Sequence, residues 1–291
     1  MSEFSAGETL GQRGRRRLAR AYRRIAQPGL RPRPFLVLTT SRSGSTWTCD
    51  LLARVLSCGN VAEHLRPEHL QAVQQGDAAP GTLVDYCLAV LRDMKRGHIG
   101  GSKLIWDDMP PVLDALPQDD IERLCTALRG LQPVMIRLRR NDLPAQAISR
   151  HRAQQSGRYH RFRVSPWRRF VRPPRLSPAD AIQTTAQPYD LNALIAHRDL
   201  LQRAESHLDA TLARNALRTL DVSYERLIEN PHAELAPVFH TLLGDRLPPA
   251  VWQRRLSAAL RRSRLQRNRN ADEDPWRAQF TRDLARHDGA I

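Results

Sequence analysis

Lysine is nearly missing from this 291-residue chain: of 46 basic side chains only Lys95 and Lys103 are lysines, and the rest are arginine. That shortage excludes the ATPase type of phosphate loop. The Walker pattern G-x-x-x-x-G-K-[ST] needs a lysine before its hydroxyl residue, and in the serine- and glycine-rich loop that follows the first apolar run this place is held by Gly44. Cysteine is scarce too. Cys49, Cys58, Cys87 and Cys125 show no C-x-x-C spacing, which indicates neither a zinc site nor a disulfide framework and fits a reducing cytoplasm. No run approaches the roughly 18 apolar residues of a membrane span. The N-terminus lacks the apolar core of a secretory signal, so a soluble cytoplasmic protein is expected. Acidic residues are outnumbered, 30 against 46, leaving a net charge of +16 and a pI near 11.1. Such a balance suits anionic partners, whether nucleotides, nucleic acid or acidic lipid surfaces. Arginine spread over solvated faces gives the same total.

What is present is organised around residues 35–46, FLVLTTSRSGST. Four apolar residues that favour an extended chain run into a small polar loop, and Trp47, Leu51, Leu52, Val55 and Leu56 then recur at the helical period. This is a strand, a loop and a helix start, with Gly59 as the expected helix stop. Such a loop aims successive N–H groups and the positive end of a helix dipole at one place, which suits a phosphate. Arg42 adds a full charge, Ser43, Ser45 and Thr46 add hydroxyls, and Gly44 permits close approach. A turn with no ligand has the same composition, so other stretches must agree.

The length fits one large α/β domain with insertions, residues 35–291, behind a basic arm, residues 1–34. The arm reads as a short amphipathic helix on an acidic membrane surface or on the domain, or as a disordered segment. Helices are expected near 67–73 and over 83–91, and Asp119 is expected to cap a third. Residues 98–106, HIGGSKLIW, read as a second strand with Lys103 at or near its working end. Residues 133–138 read as a third strand ending in Arg139, Arg140, Asn141 and Asp142, and a helix over 143–155 follows with Pro144 early in it. This repeats the first motif, and Arg140 and Ser149 can meet on one anion. Residues 158–175 interleave arginine, aromatics and proline, as a lid over an anionic acceptor or a nucleic-acid track does. Asp190 can cap a long structural helix. A fourth strand over 217–224 and helices over 233–243 and 249–260 complete the body, and the polar tail is assigned no element. No repeat or clean linker is visible.

Taken in order, SRSGST, NVAEHL, GGSKLIW, RLRRNDLPAQAIS, LDVSYERL and LQRNRNADEDPW make the chain similar to the bacterial sulfotransferase family typified by trehalose 2-sulfotransferase. The resemblance runs over about residues 35–284. It implies a P-loop-like three-layer sandwich with a mainly parallel central sheet flanked by helices, and in-line transfer of a sulfuryl group from 3′-phosphoadenosine 5′-phosphosulfate (PAPS) to a hydroxyl of a carbohydrate, glycolipid or other small metabolite, without a metal. It also implies a homodimer. By the same resemblance Arg42, Ser43, Gly44, Ser45 and Thr46 hold the 5′-phosphosulfate, Arg140 and Ser149 hold the 3′-phosphate, and Arg267 lies in a donor-covering tail. Glu63 matches the general base, Lys103 matches the lysine of the family's G-G-K-L-x-W stretch, and Asn60, Val61, Ala62, Glu63, His64, Leu65 and Arg66 border the acceptor. The turn departs from the family's G-E-P-Q-E-F-F, keeping the glutamate and losing its neighbours, which argues against trehalose itself as acceptor. A carboxylate among so many arginines also fits an ordinary salt bridge. The rivals are a nucleic-acid-binding protein and a P-loop kinase.

Overall fold

The computed structural model describes residues 33–58, 61–64, 83–95, 100–107, 109, 117–157, 188–263 and 274–288. The basic arm up to position 32, the helix expected near 67–73, the arginine and aromatic stretch 158–175, and Gly59, Asn60, Leu65, Arg66 and Arg267 lie outside them.

Four strands form one sheet in the order β2-β1-β3-β4, with every pairing parallel. They are β1 (Phe35–Thr39), β2 (Gly101–Ile105), β3 (Val134–Arg139) and β4 (Thr219–Ser223). All five residues of β1 are buried, because a central parallel strand is covered on both faces and so reads as a continuous apolar run. Its side chains alternate between two cores. Phe35 and Val37 join Ile136 and Leu138 of β3 in a core closed by α1 (Ser45–Leu56), α7 (Pro231–Leu243) and α8 (Pro249–Arg262). Leu36 and Leu38 face the opposite core with Met135, closed by α2 (Leu83–Lys95), α3 (Gln118–Leu131) and α5 (Leu191–Arg214). The result is the α/β three-layer arrangement with helices on both faces of a parallel sheet. A third, smaller cluster joins Ala147 and Ile148 of α4 (Leu143–Ser156), Leu194 and Leu201 of α5, and Phe280 and Leu284 of α9 (Pro275–Asp288). The short helix α6 (Tyr224–Glu229) follows β4 directly.

The strands and most helices fall where the sequence pattern puts them, and the boundaries differ for local reasons. Helix α1 ends at Leu56 with Ser57 at φ 51°, before Gly59 is reached. Asp119 lies inside the first turn of α3, whose N-cap is Pro117. Lys103 stands at the middle of β2, and its long side chain covers the distance to the strand end. The expected fourth strand stops at Ser223, so Tyr224 opens a helix. Helix α9 was given no element by its polar sequence, and it exists by burying Phe280 and Leu284.

The order places β1 centrally, with β2 on one side and β3 on the other. The loops leaving β1 and β3 therefore diverge at their carboxyl ends, the crevice where open α/β sheets bind ligands.

Candidate active site

Both strand-to-helix turns open on this crevice. In the first, Arg42 takes φ 63° and Gly44 φ 83°. The glycine is obligatory: a Cβ there would lie 2.2 Å from Cε2 of Tyr224. Gly44 is also the N-cap of α1, whose start carries no side-chain cap and no acidic residue in its first turn. The positive end of the α1 dipole is thus left for an external anion. Ser43 is fully buried, with its hydroxyl 2.5 Å from that of Thr39. Thr46 accepts a hydrogen bond from Lys103 Nζ at 3.2 Å.

In the second turn, Asp142 caps α4 by accepting from the N–H of Ala145 at 3.0 Å. Its cationic reach comes from side chains. The Arg140 guanidinium donates to the carbonyl of Arg42 at 3.1 Å and lies 5.1 Å from the centre of the Tyr224 ring. Arg42 in turn donates through Nε to Ser149 Oγ on α4 at 3.0 Å. Arg42 thus touches both Arg140 and Ser149, which lie about a hundred positions further along the chain. Arg140 is buried, and its Nε has no hydrogen-bond partner among the described residues. Burial pulls its pKa below the ordinary arginine value, against support from Tyr224, Asp142 and Glu225. A buried cation with a donor to spare suits an anionic ligand.

Glu63 is brought to the same crevice from outside the named strands. Ala62 bridges to Ser102 in parallel register, and its carbonyl accepts from Lys103 N at 3.0 Å and from Ser102 Oγ at 3.2 Å. This extends the sheet beyond β2 and sets Glu63 Oε1 2.6 Å from Lys103 Nζ. Lys103 is buried and links the carboxylate to Thr46 of the first turn. Val61 packs into the core, and Ala62, Glu63 and His64 are half-buried. Thiolate chemistry has no footing nearby, because burial pushes Cys49, Cys58 and Cys87 up to about 12.

Tyr224, wedged against Gly44 and beneath Arg140, has no signal in the sequence beyond an aromatic at a strand end. Nor do Asp107 and Gln146, which hold Ser41: its N–H donates to Asp107 at 2.7 Å and its carbonyl accepts from Gln146 Nε2 at 2.7 Å.

With this geometry in hand, the comparisons decide the family. The family model described as Stf0 sulphotransferase matches residues 34–283. The chain belongs to the Stf0 sulphotransferase family. This Stf0 sulfotransferase is 26% identical over 283 residues to the trehalose 2-sulfotransferase of Mycobacterium tuberculosis (strain ATCC 35801 / TMC 107 / Erdman), with 86% of this chain and 96% of that relative covered. To the trehalose 2-sulfotransferase of Mycolicibacterium smegmatis (strain ATCC 700084 / mc(2)155) it is 26% identical over 288 residues, covering 88% and 97%. The family expected from the order of the short motifs is the one found.

Proposed function

We propose that this sulfotransferase moves a sulfuryl group from PAPS to a hydroxyl of a carbohydrate, glycolipid or other small metabolite. The observation that carries the reading is the contact of Arg140 with the carbonyl of Arg42. It joins the two cationic turns, and in this reading a single adenosine compound with phosphates at both ends spans them. The unpartnered Nε of Arg140 and the uncapped start of α1 fit two such phosphates. In this reading Arg42, the backbone of Ser43, Gly44 and Ser45, and Thr46 hold the 5′-phosphosulfate end, while Arg140 and Ser149 hold the 3′-phosphate. By the family resemblance, Arg267 is assigned to the donor and residues 60–66 to the acceptor. The four free cysteines suit a cytoplasmic setting.

The acceptor oxygen attacks sulfur as the bond from sulfur to the 5′-phosphate oxygen breaks. Glu63 takes the proton from that oxygen, a contribution of about 10² to 10⁴ in rate for a well-placed base. The ion pair with Lys103 fixes the orientation of the Glu63 carboxylate beforehand. As the carboxylate gains its proton, Lys103 loses its counter-ion just when negative charge builds on the departing phosphate. Lys103 and Arg42 are then the cations that stabilise this charge. Positioning and electrostatics supply the remainder, as in phosphoryl transfer.

The test is incubation with sulfur-labelled PAPS and a metabolite extract, followed by identification of whatever gains one sulfuryl group. A labelled product that requires Glu63 is expected. No transfer, together with no binding of 3′,5′-bisphosphoadenosine, overturns the reading.

A further inference from the structure

Ser41 sits between β1 and the left-handed Arg42, and every polar group it has is taken by a neighbour. Its N–H donates to Asp107 Oδ1 at 2.7 Å, its carbonyl accepts from Gln146 Nε2 at 2.7 Å, and its hydroxyl accepts from the Arg150 guanidinium at 2.6 Å. Arg150 also pairs with the second oxygen of Asp107, whose side chain is fully buried. One carboxylate from the end of β2 and two side chains from α4 thus close around a single residue.

The next residue explains why such a grip is needed. Arg42 is a non-glycine at φ 63°, a conformation L-residues avoid and keep only where their surroundings dictate it. Its carbonyl and its side chain are fixed downstream by Arg140 and Ser149. Upstream, only Ser41 can transmit a constraint to its φ. We infer that Asp107 and Arg150 are positioning residues: they clamp Ser41 so that Arg42 stays left-handed and the N–H groups of the first turn stay convergent before any ligand arrives. The inference deepens the proposed function, since a preformed cradle matters for donor binding, but its structural half stands without that reading. Preorganisation of this kind is where residues remote from the reacting atoms affect binding.

The test uses the full chain. Replacing Asp107 or Arg150 alone strands a buried charge, so the main variant removes both, Asp107→Leu with Arg150→Met. A milder one, Ser41→Ala, deletes only the hydroxyl held by Arg150. Hydrogen exchange in the ligand-free protein reads the clamp directly. Amides of residues 41–46 should exchange about tenfold faster in the double variant and more modestly faster in Ser41→Ala, with β1 and β3 unchanged. Calorimetry with 3′,5′-bisphosphoadenosine should show about tenfold weaker binding in the double variant. Unchanged exchange in the folded variants overturns the clamp. If the double variant does not fold, Ser41→Ala decides alone by the same exchange measurement. If the unmodified protein binds no bisphosphate nucleotide, the donor assignment falls and the exchange result still judges the clamp.

Discussion

The two strand-to-helix turns look alike on paper and work by opposite means. The turn from β1 to α1 carries no capping side chain and no early acid, so its main chain and helix dipole stay open and add to the charge of Arg42. The turn from β3 to α4 has its helix start occupied by Asp142, and its cationic character belongs to Arg140 and its neighbours. A backbone cradle is close-fitting and indifferent to side-chain exchange, apart from the glycine that shapes it. A side-chain grip has longer reach and depends on one residue. Under the proposed function, the first would take the end of the donor where bonds change, and the second the end that only needs to be anchored.

Four substitutions and one titration press on that contrast. Glu63→Gln should have the largest effect, lowering turnover by about 10² to 10⁴ while leaving affinity for 3′,5′-bisphosphoadenosine intact; near-normal turnover removes Glu63 from the base role. Gly44→Ala, with its Cβ driven into Tyr224 at a positive φ, should cost about 3 kcal/mol in thermal or chemical unfolding. An unaltered melting temperature means the first turn is looser than described. Arg140→Ala should weaken 3′,5′-bisphosphoadenosine by about 10- to 100-fold, with little effect on adenosine 5′-phosphate. Equal losses for the two nucleotides place both phosphates on the same turn and end the contrast. Asp142→Ala should cost about 1 kcal/mol of stability as a lost cap without weakening the bisphosphate. A large drop in affinity reveals that the second helix start does bind the ligand.

The titration concerns His151 of α4 and His197 of α5, whose rings lie 5.5 Å apart. Burial lowers the pKa of both. Arg150 and His151 add to the shift at His197, and Asp190 opposes it at His151. A folded value below the ordinary 6.5 means the unfolded chain binds more protons as pH falls through that point, so stability should decline below about pH 6.5. The melting temperature at pH 5.5 should fall below that at pH 7.5, and the decline should shrink in His151→Gln.

The sheet and its helices were legible because their signals are local. Phe35, Leu36, Val37 and Leu38 announce a strand buried on both faces; Asn141 or Asp142, and Asp190, announce helix starts, which the structure caps with Asp142 and Asp190. Arg42, Glu63, Lys103, Arg140 and Ser149 were all named from sequence, and the fold brings them to one crevice. Its contacts were not legible. The wedge of Tyr224 on Gly44 spans most of the chain, and the bond from Lys103 to Glu63 crosses from one strand to a turn outside it. Helix α9 was missed because its polar sequence carries too little apolar period, and only packing of Phe280 and Leu284 against α4 and α5 makes it worth forming.

The bridge from Ala62 to the sheet edge has one more consequence. It is made by main-chain atoms on the Ala62 side, so its strength is blind to which side chain occupies position 62. The carboxylate that follows is therefore moored by a part of the molecule that mutation can hardly touch. The side chain at position 62 can therefore change while the anchorage of Glu63 holds.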